Sequence, residues 1–148
     1  MKTLITICAI MVASIMGYNQ YKTNPRVQQY VHKIVQSTFA HSVQNAYKDK
    51  KNKVQVKGRG QVLDPPAQYQ VDNQFQIFNV RLKDNHVVTV YHDLAHAKFI
   101  PNLKEGDDVR FYGEYYYTDA GGEIRFTHKD PKQQRPDGWI EHDHIKYQ

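Results

Sequence analysis

Alternating apolar and polar positions between Asp107 and His128 predict a β-hairpin. One face of its first strand carries Val109, Phe111, Gly113, Tyr115 and Tyr117, and one face of its return strand carries Ile124, Phe126 and His128. The intervening Asp119-Ala120-Gly121-Gly122 contains residues that tolerate the positive φ of a tight turn. The rest of the chain is predicted to form a sheet that this hairpin completes.

Three strands precede the hairpin in the hydrophobic pattern, over residues 54–63, 73–82 and 87–92. A short helix is predicted over residues 93–100, ended by Pro101. Three strands, a helix and two more strands is the order of an OB-fold. Gly58 and Gly60 fit a first strand that bends to join both halves of a barrel. The predicted fold is mainly β, a five-stranded OB-like barrel.

An N-terminal amphipathic helix is predicted to begin at Asn24-Pro25 and to continue to about Tyr47. Its apolar stripe consists of Val27, Tyr30, Val31, Ile34, Val35, Phe39 and Val43. Such a stripe serves either packing on the barrel or docking of a partner or membrane surface. The predicted organisation is therefore residues 18–53 as helix and basic linker, and residues 54–148 as barrel with an irregular C-terminal tail that folds back through Trp139.

The N-terminus has the pattern of an export signal, with Lys2 followed by an apolar run from Leu4 to Met16. Residues 1–17 are predicted to be this signal, cleaved near Gly17 by the export machinery, or else an uncleaved anchor. Cys8 is the only cysteine, so a cleaved product has no disulfide. No transmembrane span is expected after cleavage, and the predicted location is the periplasm or the exterior.

The charge balance favours an anionic partner. The formal net charge is +5 and the isoelectric point is about 9.2. Nucleic acid, acidic glycans and anionic lipid headgroups all satisfy this preference. The charge does not choose among them.

Several ordered motifs carry a resemblance to a known family. They are VKGRGQV, YHDLAHA, LKEGDDVRFYGEYYY, GGEIRFTHKDP and DGWI, between Val54 and Tyr147. In this order they resemble a family of small exported bacterial proteins with an OB-fold-like domain of unknown function. The resemblance implies fold and export rather than an activity. His92, His128 and Asp130 match the family pattern, whereas Phe75 and Arg125-Phe126 stand where it usually has His and His-Trp.

A histidine group is the candidate for catalysis. His92 and His128 are predicted at strand ends, where with His96 and the adjacent carboxylates Asp93 and Asp130 they could bind a divalent metal and activate water. Alternatively, His128 and Asp130 only fix the loop after the hairpin. No cofactor is predicted beyond that possible metal. The tract from His142 to His144 is a further metal candidate, or an exposed terminus.

Basic and aromatic side chains are the candidates for ligand binding. Those predicted to line the outer surface are Lys57, Arg59, Arg81, Arg110, Tyr112 and Tyr116, with Tyr69 in a nearby loop. OB-fold surfaces use such residues to stack rings and neutralise phosphate. The alternative is that the tyrosines only shield the sheet.

Three function classes follow from these patterns. The first is an exported, non-enzymatic binding module for an anionic or oligomeric ligand. The second is a metal- or histidine-dependent hydrolase that uses His92, His128 and Asp130. The third is a protein-interaction module of the cell envelope or a secretion system, docking through its helix or a sheet edge.

Overall fold

The computed structural model describes residues 24–38, 40–64 and 74–148. The predicted export signal and Tyr69 lie outside these ranges. Within them, no helix has the length and apolar character needed to cross a membrane. The elements, in chain order, are α1 (Pro25–Thr38), α2 (Val43–Lys48), β1 (Val54–Val62), β2 (Phe75–Leu82), β3 (Val87–Asp93), β4 (Asp108–Tyr116), β5 (Glu123–Arg125), β6 (Trp139–His142) and β7 (Ile145–Tyr147).

Strand β1 closes the barrel because it pairs with two strands. Residues 54–61 pair antiparallel with β4, and residues 60–62 pair antiparallel with β2. The circuit runs β1-β2-β3-β5-β4 and returns to β1, with β3 and β5 parallel. At Gly60 a Cβ would lie 2.2 Å from the carbonyl oxygen of Arg81, so this closure needs glycine. The predicted five-stranded OB-like barrel is confirmed.

Alternate side chains of the strands fill the barrel. Those buried inside include Val56, Val62, Phe78, Val80, Val88, Val90, Val109, Phe111, Tyr115 and Ile124. Burying an aliphatic or aromatic side chain of this size contributes roughly 1.5–3 kcal/mol, so this interior is the main source of stability. Helix α2 adds Val43 and Ala46 to the same core.

The predicted N-terminal helix is divided into α1 and α2. Between them, the backbone N–H of His41 donates to the carbonyl of Gln55 at 2.9 Å, in a short bridge to β1. The side chain of Ser42 then accepts a hydrogen bond from the N–H of Asn45 and caps α2. The continuous helix predicted to Tyr47 is wrong because this bridge takes the backbone out of helical geometry.

The helix predicted between the third and fourth strands is also wrong. After β3 the chain makes one turn, in which the N–H of Ala97 donates to the carbonyl of Asp93 at 2.9 Å. The side-chain amide of Gln76 then bonds both the N–H and the carbonyl of Ile100, each at 3.0 Å. Because these bonds occupy the backbone of Ile100, the turn does not extend into a helix.

Strand β5 ends earlier than its alternation predicts. Phe126 has a φ of 55°, in the left-handed region, so the side chains that follow change sides. Thr127 and His128 are both buried, whereas Phe126 is 38% exposed. The prediction that Phe126 faces the core is therefore wrong.

The C-terminal tail is a hairpin rather than an irregular segment. Strand β6 pairs with β4 and also with β7, and Ile140 enters the core. The connecting residues Asp143 and His144 have φ of 49° and 64°, as a tight two-residue hairpin turn requires. The predicted return of the tail to the barrel is confirmed, and its predicted irregularity is wrong.

Candidate functional site

Asp93, His96 and His128 meet at the end of β3 and form what we call the His–Asp cluster. The Nδ1 of His96 lies 2.8 Å from Oδ2 of Asp93, and Nε2 of His128 lies 3.8 Å from the same oxygen. The two imidazole rings stack, with centroids 4.8 Å apart. Asp93 reaches this position as the last residue of β3, and the turn that follows brings His96 back beside it.

His128 is the most firmly held member of the cluster. Its side chain is 4% exposed, and its Nδ1–H donates to the carbonyl of Lys129 at 2.7 Å. That bond leaves Nε2 as the unprotonated nitrogen, whose electron pair can accept a hydrogen bond or bind a metal. Burial, together with the positive charge of Arg135, lowers the pKa of His128. The imidazole is therefore neutral at neutral pH.

Arg135 and Phe126 border the cluster. Nη2 of Arg135 lies 3.2 Å from Nε2 of His128, and its guanidinium lies 4.5 Å from the centroid of the Phe126 ring. Burial alone would raise the pKa of Asp93, but hydrogen bonds from His96 and from the N–H of Ala95 outweigh burial and lower it. The cluster thus combines a carboxylate with a neutral imidazole beside a cation.

The structure does not bring His92 into this cluster. His92 is fully buried inside the barrel. Its Nε2–H donates to the carbonyl of Lys98 at 3.0 Å, and its Nδ1 accepts from the hydroxyl of Thr127 at 2.9 Å. Burial lowers its pKa to about 4. With both nitrogens occupied, His92 has no free atom for proton transfer or metal binding.

Asp130 is a loop anchor. Its carboxylate accepts hydrogen bonds from the backbone N–H groups of Lys132, Gln134 and Arg135. Burial alone would raise its pKa, but these bonds lower it. Asp130 thereby fixes the loop that carries Arg135 to the His–Asp cluster. Of the three residues predicted for catalysis, only His128 belongs to the cluster.

Four of the residues predicted for ligand binding lie together on the outside of β1 and β4. Lys57 pairs with Tyr112 across the two strands, and Arg59 pairs with Arg110. The neighbouring β6 and β7 add two residues that sequence reasoning missed, Trp139 and Lys146. We call this surface the Trp139 face; it comprises Lys57, Arg59, Arg110, Trp139 and Lys146.

Trp139 is the centre of that face. Its ring is partly exposed, and the Nζ atoms of Lys57 and Lys146 lie 5.7 Å and 4.6 Å from the ring centroid. Arg59 and Arg110 form surface ion pairs with Asp108 and Glu141. Lys57 and Trp139 become neighbours through the pairing of β6 with β4, and Lys146 reaches the ring through the pairing of β7 with β6.

Tyr112 is not the exposed ring that the alternation predicts. It points out of the barrel but is only 4% exposed, with its ring stacked beside Trp139 at a centroid distance of 6.3 Å. Burial raises its pKa to about 12. Trp139, and not Tyr112, is the ring that this face presents to solvent.

The other two predicted binding residues lie elsewhere. Tyr116 is at the end of β4, where the guanidinium of Arg125 lies between its ring, at 5.4 Å, and that of Tyr91, at 5.1 Å. Arg81 is exposed on β2, opposite Gln61. The six predicted binding residues therefore do not form one continuous surface.

The histidine tract at the C-terminus does not converge on one point. His142 is buried, with Nε2 2.9 Å from the carboxylate of Asp107, while Asp143 and His144 are exposed in the turn. The sequence pattern grouped Asp93 and His96 with His92, His128 and Asp130, and only two of those partners, His92 and Asp130, lie outside the cluster. The useful signal was the spacing Asp93-x-x-His96 at a strand end, because one turn brings residues i and i+3 together.

A protein-family model matches most of the chain. The model described as "Protein of unknown function (DUF3465)" matches residues 26–148. The chain belongs to this family. The DUF3465 match spans the barrel, the His–Asp cluster and the Trp139 face. A comparison with curated proteins found no match.

Proposed function

We propose that this DUF3465 protein is a binding module that holds an anionic oligomer on the Trp139 face, with single-stranded nucleic acid as the first candidate. The supporting observation is the partly exposed ring of Trp139, with the ammonium groups of Lys57 and Lys146 at 5.7 Å and 4.6 Å from its centroid. OB-fold surfaces that bind single strands combine such rings with cations.

The charges of this face favour an anion. Arg59 and Arg110 are paired with acidic neighbours, and such exposed pairs are weak enough for a phosphate to replace them. Lys57 and Lys146 have no acidic partner in the described part of the chain. Both lysines can therefore turn from the ring towards a ligand phosphate.

The expected affinity is moderate and depends on salt. A base stacked on Trp139 contributes roughly 1–3 kcal/mol. Each phosphate neutralised on a single strand contributes roughly −0.7 to the slope of log affinity against log salt concentration. If the four cations of the face each neutralise one phosphate, the slope is about −3. Binding of this kind tolerates changes of base sequence.

The only tryptophan of the chain provides the assay. A short oligo(dT) and an acidic oligosaccharide of equal charge are titrated at several salt concentrations, and Trp139 fluorescence is followed. We expect quenching and saturable binding with the oligonucleotide, because a base stacks on the indole. Quenching by the oligosaccharide alone would assign the face to an acidic glycan.

A pair of charge-matched double variants makes the test specific. The variant Lys57→Gln/Lys146→Gln removes both lysines beside Trp139, whereas Lys83→Gln/Lys104→Gln removes two exposed lysines from turns elsewhere. We expect the first variant to bind more weakly with a shallower salt slope, and the second to bind like the wild type. Equal losses in both, or no binding at low salt, would refute the proposal.

A metal- or histidine-dependent hydrolase is the second candidate, favoured by the partly exposed His–Asp cluster. Such an enzyme would use Asp93, His96 and His128, since His92 and Asp130 are committed to internal hydrogen bonds. The test is cleavage of an activated phosphodiester. Activity that disappears in His96→Gln with the fold intact would support a hydrolase, and activity that survives would exclude this site.

Export is proposed on the pattern of residues 1–17 alone. Expression of the full chain in a bacterial host, followed by fractionation and mass measurement, tests it. We expect a product shortened near Gly17 in the periplasm or medium. A full-length product that stays with the membrane would indicate the uncleaved anchor instead.

A further inference from the structure

We propose that the His–Asp cluster binds a divalent transition-metal cation, with zinc the best match to its donors. This proposal concerns a cation, whereas the Trp139 face is proposed to bind an anion. It does not depend on ligand binding at that face. Two imidazoles and one carboxylate suit zinc and its neighbours in the first transition row. Magnesium and calcium prefer sites made of oxygen atoms.

The donor atoms are close to the spacing that one ion needs. One ligand atom from each of Asp93, His96 and His128 lies within 4.8 Å of the other two. Around zinc, with bonds of about 2.0–2.1 Å, neighbouring ligand atoms lie roughly 3.3 Å apart. The contact between His96 and Asp93 is already shorter than this, at 2.8 Å. Nε2 of His128 lies 3.8 Å from Oδ2 of Asp93, so roughly half an ångström separates this pair from the spacing around zinc, and the exposed side chain of His96 is the one free to adjust.

Two of the donors are held in place before any ion arrives. The Nδ1–H of His128 donates to the carbonyl of Lys129, which leaves Nε2 as the coordinating atom. A backbone carbonyl bonded to the remote nitrogen is the usual support of a metal-ligating histidine. Oδ1 of Asp93 accepts from the N–H of Ala95, so Oδ2 faces the two rings.

The third donor is accessible and adjustable. The side chain of His96 is 45% exposed, on the turn that follows β3. It can therefore rotate to admit an ion from solvent and close over it. Three protein donors leave at least one coordination position for water or an anionic group, as in zinc sites that exchange ligands.

Arg135 competes with the ion for His128. Its Nη2 lies 3.2 Å from Nε2 of His128, the atom that would coordinate the metal. Metal binding requires this guanidinium to move away, and its positive charge also repels a cation. Replacing Arg135 with an uncharged residue should therefore strengthen metal binding, which a purely structural role of the cluster does not predict.

The experiment uses the full chain, without a histidine tag, stripped of metal by a chelator. Cobalt is titrated in and followed by its visible absorption, and zinc is measured by calorimetry and by displacement of cobalt. We expect one equivalent of either metal. We expect His96→Gln and Asp93→Asn to weaken binding by at least about tenfold, the smallest loss seen when even a supporting residue of a metal site is removed.

The variants have internal controls. His96 is exposed, so His96→Gln should keep the circular dichroism and melting temperature of the wild type. His144→Gln removes an exposed histidine of the C-terminal turn and should leave metal binding unchanged. Arg135→Gln should bind zinc more tightly than the wild type.

Three results would overturn the proposal. The first is an absence of zinc and cobalt uptake by both the wild type and Arg135→Gln. The second is unchanged affinity in folded His96→Gln. The third is loss of affinity in His144→Gln, which would place the ion at the C-terminal turn. None of these results bears on oligonucleotide binding at the Trp139 face, so the two proposals can fail separately.

Discussion

Removing the buried hydroxyl of Tyr112 is expected to stabilise the protein, although most substitutions of buried residues destabilise it. Within the described part of the chain, this hydroxyl is the buried side-chain atom that lacks a hydrogen-bond partner. Tyr112 is only 4% exposed, so the hydroxyl is enclosed by protein. A buried polar group without a partner costs about 1–3 kcal/mol. We therefore expect Tyr112→Phe to raise the free energy of unfolding by about 1 kcal/mol or more.

Tyr115 provides the matched control on the same strand. It is fully buried, and its hydroxyl donates to the carbonyl of Gly121 at 3.1 Å. Tyr115→Phe removes the same oxygen atom but breaks a hydrogen bond, and it leaves the carbonyl of Gly121 with Nε2 of His86 as its side-chain partner. We expect it to lower the free energy of unfolding by about 1 kcal/mol. One chemical change should thus have opposite effects at two positions of β4.

Urea unfolding of the wild type and both variants measures these differences. The dependence of the free energy on urea should keep its slope, since neither change alters the surface exposed on unfolding. Each 1 kcal/mol should move the melting temperature by about 2–4 °C. A Tyr112→Phe protein that is less stable than the wild type would mean that the hydroxyl has a partner in solution, and the reasoning would be wrong.

Four further predictions concern the same fold. Burial raises the pKa of Tyr112 to about 12. In the unfolded chain the tyrosine ionises from about pH 10, so the wild type should lose stability relative to Tyr112→Phe as the pH rises above that value. Urea unfolding of both proteins at pH values on either side of about 10 tests this. Gly60→Ala should cost at least about 2 kcal/mol in urea unfolding, because its Cβ meets the carbonyl of Arg81. His92→Ala should cost roughly 2–4 kcal/mol, since it leaves two internal partners unpaired; unchanged stability with a lost activity would restore a catalytic role. Asp130→Ala should speed amide exchange in the loop of residues 131–135, whereas unchanged exchange would mean that the carboxylate does not hold the loop.

The barrel was predictable because its strands alternate in a simple way. Each failed prediction of an element traces to one side-chain hydrogen bond or one backbone dihedral angle that interrupts the local hydrophobic pattern. Gln76 bonds the backbone of Ile100 from a distant strand, and periodicity contains no sign of that bond. Phe126 adopts a positive φ that is uncommon for a bulky residue, and this shifts every side chain after it. The turn at Asp143 lacks the Asn-Gly pattern by which such hairpins are recognised.

The candidate sites were harder to predict than the fold. His92 and His128 were grouped because both were expected at strand ends, but sequence does not tell which histidine nitrogens are already bonded. Both nitrogens of His92 bond groups inside the barrel, whereas Nε2 of His128 faces Asp93 and Arg135 in the cluster. Trp139 joins the cations of β1 and β4 through a strand pairing between residues distant in sequence. Such long-range pairing is what a single sequence reveals least.

The position of the C-terminal hairpin has a consequence for how the protein avoids self-association. One side of β4 pairs with β5 only at residues 114–116, and β6 pairs with residues 109–112 of the same side. Until β6 is in place, the backbone groups of this stretch that point away from β1 lack partners beside apolar side chains, and such an edge is a template for strands of other chains. The β6–β7 hairpin therefore covers that edge of β4. A chain truncated before Trp139 should aggregate, even though its five barrel strands are complete.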